Sequence, residues 1–241
     1  MAIALTARGT INSSTDASSY ATAAFTPSAN VLLVACYAVH RGGSTNPTTP
    51  TVSGHGTWTT ANDFLYLATG IGRGRLFVCG TDTGATPGSA AVTFDQGGVT
   101  QLGAEASVFE LSGTDLTSSG GSSTVAQCFV QAPNTTANAT GTSGAVTLAA
   151  AGNANNRPFS WWSHAANEVT APATGWTEVD DLAHAAPANG SESQWHATTF
   201  DTAAAASWVG SVAFGGIAFE IKALAAAVEI AMSVGHINIG F

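Results

Sequence analysis

Short apolar runs that alternate with polar residues at every second position recur along the whole 241-residue chain, each closed by a cluster of Gly, Pro, Asn or Ser. A two-residue period puts successive side chains on opposite faces of an extended strand, whereas an amphipathic helix needs apolar residues three and four apart. Helical spacing is hard to find, and alanine-rich pieces such as residues 203–206 are too short to sustain a helix. The pattern predicts strands near residues 3–7, 20–25, 31–40, 64–67, 74–79, 91–94 and 105–111 in the first half. In the second half it predicts strands near 125–131, 145–148, 159–164, 176–179, 194–199, 208–214, 217–223 and 228–234. The expected fold class is all-β, with polar turns such as 42–50 and 132–144 between the strands.

A weak internal repeat sharpens that expectation. A strand ending at His40 is followed by Trp58-Thr59, an aromatic strand, Val92-Thr93-Phe94 and a strand containing Phe109-Glu110-Leu111. A strand ending at His164 is followed by Trp176-Thr177, the 194–199 run, Ser207-Trp208-Val209 and a strand containing Phe219-Glu220-Ile221. The offsets fall from 124 to 118 to 110 residues, so the second half has shorter loops. Two such halves, 1–115 and 116–224, packed face to face make a β-sandwich of jelly-roll type over 1–224. Residues 225–241 are set apart as a C-terminal apolar strand.

Charge restricts function. Six Lys and Arg stand against 15 Asp and Glu, a formal net charge of −9, and charged residues are only 9% of the chain. A nucleic-acid binder needs clustered basic residues to neutralise phosphate, so no nucleic-acid partner is expected. The 18 uncharged residues between Asp201 and Glu220 approach the length of a membrane span, but serines and glycines interrupt them and they alternate like a strand. No membrane partner is expected. The start of the chain lacks a basic region followed by an apolar run, so no secretory signal is expected. Cys36, Cys79 and Cys128 have no metal-ligand spacing, and buried free thiols are the economical expectation.

The stretch from Ala171 through Gly175-Trp176-Thr177-Glu178, then Ser193-Gln194-Trp195 and Gly216-Ile217-Ala218-Phe219-Glu220-Ile221-Lys222, has a distinctive layout. With Phe25-Thr26-Pro27-Ser28-Ala29-Asn30 and Phe109-Glu110-Leu111-Ser112-Gly113 ahead of it, the chain from Thr6 to Ala223 resembles uncharacterised β-sandwich proteins encoded by tailed bacteriophages and related bacterial loci. The resemblance implies a structural virion protein, either decorating the capsid or tail-associated, that assembles in the host cytoplasm and acts by subunit contact. It brings no catalytic motif. The implied partners are further copies of itself, for example a trimer, and other virion proteins such as the major capsid or tail protein. The family pattern ends near Lys222, whereas this chain continues.

That continuation alternates apolar residues and then slips by one place after Gly235, as a β-bulge would require. Val228, Ile230, Met232, Ile237, Ile239 and Phe241 are the expected subunit contacts, with a further strand of the same sandwich as the alternative.

Catalytic signatures are missing: there is no nucleophile elbow, no His-Glu-x-x-His and no phosphate loop. The chain is expected not to be an enzyme and to need no cofactor. A glycosidase on a jelly-roll fold is an alternative that would require two converging carboxylates. Glu105 and Glu110 are five apart and point to opposite faces of a regular strand, and Glu110 and Glu220 occupy equivalent places in the repeat. Glu178, Asp180 and Asp181 form the densest acidic cluster and could hold Ca²⁺, but a solvated loop edge is the simpler expectation, and no metal site is predicted. A carbohydrate-binding, lectin-like module or adhesin for a host surface glycan is the other alternative. It would stack sugars on Trp161, Trp162 or Trp195, since one of the adjacent pair Trp161-Trp162 should point outward.

Overall fold

The computed structural model describes residues 2–41, 46–66, 72–80 (backbone only for 76–80), 88–116, 128–133 and 139–225. The first half holds β1 (Ala4–Ser13), β2 (Ser19–Ala21), β3 (Leu32–His40), β4 (Thr51–Ser53), β5 (Thr59–Leu65), β6 (Gly72–Gly80), β7 (Thr93–Asp95) and β8 (Gly103–Ser112). The second holds β9 (Phe129–Gln131), β10 (Ala139–Thr147), β11 (Arg157–His164), β12 (Ala171–Pro172), β13 (Thr177–Ala185), β14 (Ala188–Trp195) and β15 (Ala203–Ile221). The architecture is all-β and antiparallel, a layered β-sandwich, as the two-residue period predicts. The predicted strand at 228–234 and all six expected subunit-contact residues lie outside the described residues.

One five-stranded path runs β1-β8-β3-β6-β5, and a second runs β10-β15-β11-β14-β13. In each, the first strand of the path in chain order lies at an edge beside the fifth, followed by the second, fourth and third. A separate three-stranded sheet runs β2-β7-β4. In the second half β12 instead pairs with the start of β15, at Ala206 and Ser207.

Alternation sends every second side chain of a path into a different core. Leu32, Val34, Cys36 and Ala38 of β3, with Phe109 and Leu111 of β8, meet Phe159, Trp161, Ile217, Phe219 and Ile221 of the other path. This is the layer between the two paths. The intervening residues Ala35, Tyr37 and Val39 face the other way, onto Tyr20, Val92 and Phe94. On the far side of the second path Trp162, Phe214 and Ala218 pack with Trp176, Ala204, Ala206 and Trp208. Each strand at the centre of a path is therefore buried on both faces, which explains the unbroken apolar run of β3.

Several expectations change. Residues 208–223 do not break into two strands, because β15 runs 19 residues without interruption. β14 begins six residues before the predicted 194–199 run, because its buried face is built from polar side chains. β4 and β12, at three and two residues, are too short for a periodic signal. His40 and His164 are not equivalent. Val34 pairs with Phe109 and Phe159 pairs with Phe219, so Phe159, not Pro158, occupies the place of Val34. A one-residue slip reverses the facing of every side chain. Accordingly His40 points into the layer between the paths, where it meets Tyr66, and His164 points away from it, stacked on Trp208.

Candidate functional site

One end of the layer between the two paths is polar. β3 delivers His40, β8 delivers Glu105, and Tyr66 follows directly on β5; from the second path come Ser163 of β11, His184 of β13, and Asn189 and Ser191 of β14. Tyr66 and Asn189 join the halves. The Tyr66 hydroxyl donates to Asn189 Oδ1 at 2.9 Å and lies 2.7 Å from His40 Nε2. Because that hydroxyl has one hydrogen, His40 must present Nε2–H to it. The Asn189 amide then donates to Glu105 Oε2 at 2.6 Å. The result is a directional chain of hydrogen bonds from His40 through Tyr66 and Asn189 to Glu105, with all four residues buried.

Burial sets the charge of this chain. It lowers His40 to about 4, against the opposing effect of a hydrogen bond to Asn189. Burial also raises Glu105 to about 8, outweighing its hydrogen bonds from Ser191 and Asn189. His184 is lowered by burial as well, so its 3.7 Å approach to Glu105 joins two neutral groups at neutral pH and is too long for a hydrogen bond. A network of neutral partners ties the two paths together, with Glu105 Oε1 and both His184 ring nitrogens buried without a hydrogen-bond partner.

The two other singled-out glutamates have both oxygens hydrogen-bonded. Glu110 lies on the face opposite Glu105, as strand parity requires. It takes hydrogen bonds from Arg8 and from the Ser28 hydroxyl and backbone N–H, the latter two at 2.9 and 3.0 Å. Glu220 accepts from the backbone N–H of Gly152 at 2.7 Å, the Asn156 amide at 2.6 Å and the Gln131 amide at 2.7 Å. Each carboxylate pins the loop that leads into the second strand of its path. The three glutamates do not converge.

Trp161 and Trp162 correct the sugar-stacking expectation. Trp161 and Trp162 do point to opposite faces, but both faces are cores, and the two rings are 1% and 0% exposed. Trp195 is half-buried and packs against the layer between the paths. Of the acidic cluster, Asp180 points into that layer, where it is hydrogen-bonded to Ser107, and strand alternation turns Asp181 away from it. Among the described residues no three His, Cys, Asp or Glu side chains are placed to hold a metal ion. Cys36 and Cys128 are free and buried, and burial raises both thiols, Cys128 to about 12. A surface groove of about 330 Å³ lies beside Glu220, lined by Asp115, Val130, Asn156 and Lys222 among others.

Tyr66, His184 and Asn189 were not legible as site residues. No motif joins them, and the only trace in the sequence is the polar alternation Asn189, Ser191, Ser193 in a strand that proves buried. No protein-family model matches the chain, and no curated protein or solved structure matches it either.

Proposed function

We propose that the chain is a structural virion protein of the tailed-phage kind, on the capsid surface or the tail, that works by contact between subunits and not by catalysis. Its sandwich is of jelly-roll type and built from two repeated halves, a reading supported by the strand order that the two five-stranded paths share. The observation that carries the function is the use made of the chemistry-bearing side chains. Glu105, Glu110 and Glu220 are each consumed in holding strands or loops together, and Trp161 and Trp162 are core residues.

The assembly contact is assigned to Val228, Ile230, Met232, Ile237, Ile239 and Phe241. The test is the mass in solution of the full chain and of full-length Ile230→Asp and Ile237→Asp variants, beside a chain ending at Ala225. An oligomer that all three changes reduce to a folded monomer supports the assignment. A full-length monomer, or an oligomer unaffected by the changes, refutes it.

A further inference from the structure

The matching strand order exposes one place where the two halves differ in charge. β5 carries a bulge between Thr60 and Asn62, and β13 carries one between Glu178 and Asp180. Directly after the bulge, Asp63 stands opposite Arg75 on β6, and Asp181 stands opposite Glu192 on β14. The two positions are the same in the two paths. In the first half the pair is an ion pair, with Arg75 Nη2 at 2.7 Å from Asp63 Oδ2. In the second half a carboxyl occupies the place of the guanidinium.

Glu192 is 1% exposed, and neither of its oxygens has a hydrogen-bond partner. No Lys or Arg side chain supplies the missing cation. All six Lys and Arg side chains lie among the described residues and are engaged elsewhere. Arg8 holds Glu110, Arg73 and Arg75 hold Asp63, and Lys222 holds Asp115. Arg41 donates to the Asn46 carbonyl, and Arg157 donates to the carbonyls of Ala154, Asn156 and Ala197. The charges that act on Glu192 are those of Glu178 and Asp181 on β13; His164, at the end of β11, stands opposite Gly190, which the Glu168 backbone also approaches. From β11, Trp162 lies opposite Glu192. His164 is kept neutral by burial, at about 4, and its Nε2 is used by Thr170. Glu168 is turned to the N–H groups of Val209 and Gly210. Two facing carboxylates are acceptors only, and a single proton converts one of them into a donor.

We propose that Asp181 and Glu192 form a proton-held latch: one proton shared across β13 and β14 does for the second half what the Arg75 guanidinium does for the first, and losing it loosens the β13–β14 hairpin. The latch is independent of whether the molecule assembles in a virion. Burial, followed by the charges of Glu178 and Asp181, raises Glu192 to about 9 from an ordinary 4.5. Burial raises Asp181 to about 6, against the N–H of Thr170. A carboxyl raised by folding stabilises the fold fully below its ordinary value and loses that contribution as pH climbs to its folded value. The unfolding equilibrium constant therefore grows by up to about tenfold per pH unit between those limits from Glu192 alone.

The experiment is denaturant unfolding of the full chain from pH 5 to pH 10, for the wild type, Glu192→Gln and, because Glu105 also titrates here, Glu105→Gln. Glu192→Gln is expected to flatten the alkaline loss of stability and to keep the β13–β14 amides protected from exchange at pH 9, where the wild type opens. Glu105→Gln should leave the opening of that hairpin unchanged. An unaltered pH slope in Glu192→Gln overturns the latch. So does a rise in wild-type stability at pH 7 on adding millimolar CaCl2 that Glu192→Gln does not show, since a metal ion would then hold the pair. Should Glu192→Gln fail to fold, the carboxyl ¹³C shift of Glu192 in the wild type decides: protonated at pH 7 supports the latch, and ionised at pH 7 refutes it.

Discussion

Glu110 and Glu220 show how an acidic side chain in a protein this poor in charge becomes a fastening. Glu220 is fully buried and accepts from one backbone N–H and two side-chain amides. Replacing it by Ala strands all three donors, and unsatisfied buried donors cost about 1–3 kcal/mol each before relaxation. Glu220→Ala is expected to lower stability by about 3–5 kcal/mol in urea unfolding, and Glu220→Gln by clearly less, because its amide oxygen still accepts. Equal losses would show that the loop at Gly152 is not held by this side chain. Glu110 behaves differently with pH. Burial pushes it up, but Arg8 and the Ser28 donors pull harder and leave it below the ordinary carboxylate range. A carboxyl lowered by folding stabilises above its ordinary value and loses that contribution as pH falls through its folded value. Arg8→Ala should therefore weaken the protein at neutral pH and shrink its loss of stability in acid, measured as the pH dependence of the denaturant midpoint.

At the scale of strands, the glycines that look like breaks in the sequence are seats for rings. A Cβ on Gly216 would collide with the Trp162 ring, and one on Gly144 would sit 2.5 Å from the same ring. Phe64 occupies the corresponding space over Gly74 and Gly215. Gly216→Ala is expected to cost about 1–3 kcal/mol by overpacking, and combining it with Trp162→Phe should recover part of that loss; strict additivity of the two would contradict the seating. The same pairing shows what the sequence could and could not convey. The period of two in β3, β8 and β11 was legible because their apolar residues alternate or run unbroken. Gly215-Gly216 read as a boundary because a glycine pair is equally a turn signal and a ring seat, and only the position of Trp162 separates the two meanings. β14 was misplaced for the opposite reason: Asn189, Ser191 and Ser193 line a buried face with polar atoms, so hydrophobic periodicity had nothing to detect. Asn189, which links Tyr66 to Glu105 in the candidate site, lies on that strand and stayed hidden for the same cause.

For the whole molecule, the question is what registers one path on the other. Apolar contact between sheets is non-directional, so Phe109 on Phe159 and Phe64 on Trp161 supply adhesion without fixing a unique alignment. Direction comes from the polar end of the layer, where Tyr66 of the first half and Asn189 of the second share one hydrogen bond and Asn189 passes a second to Glu105. Removing Asn189 takes the acceptor from the Tyr66 hydroxyl, which keeps only His40, and the amide donor from Glu105 Oε2, and Asn189→Ala should cost about 2–4 kcal/mol. Tyr66→Phe leaves Asn189 Oδ1 with only the weak 3.4 Å contact from Ser163 and strands His40 Nε2–H. If the chain acts as a unit, the double variant loses less than the sum of the single losses, with a coupling of about 0.5–3 kcal/mol in a double-mutant cycle. The pH dependence follows the same logic. Glu105 is raised to about 8, so its contribution is present below the ordinary carboxylate range and gone above that value. The Asn189 amide is one of the bonds holding Glu105 down, so Asn189→Ala moves the value higher and makes the loss between pH 6 and pH 9 steeper. Denaturant midpoints at those two pH values, taken for Asn189→Ala, Tyr66→Phe and the pair, measure both effects. Additive losses with an unchanged pH slope would mean that the apolar layer alone aligns the two halves.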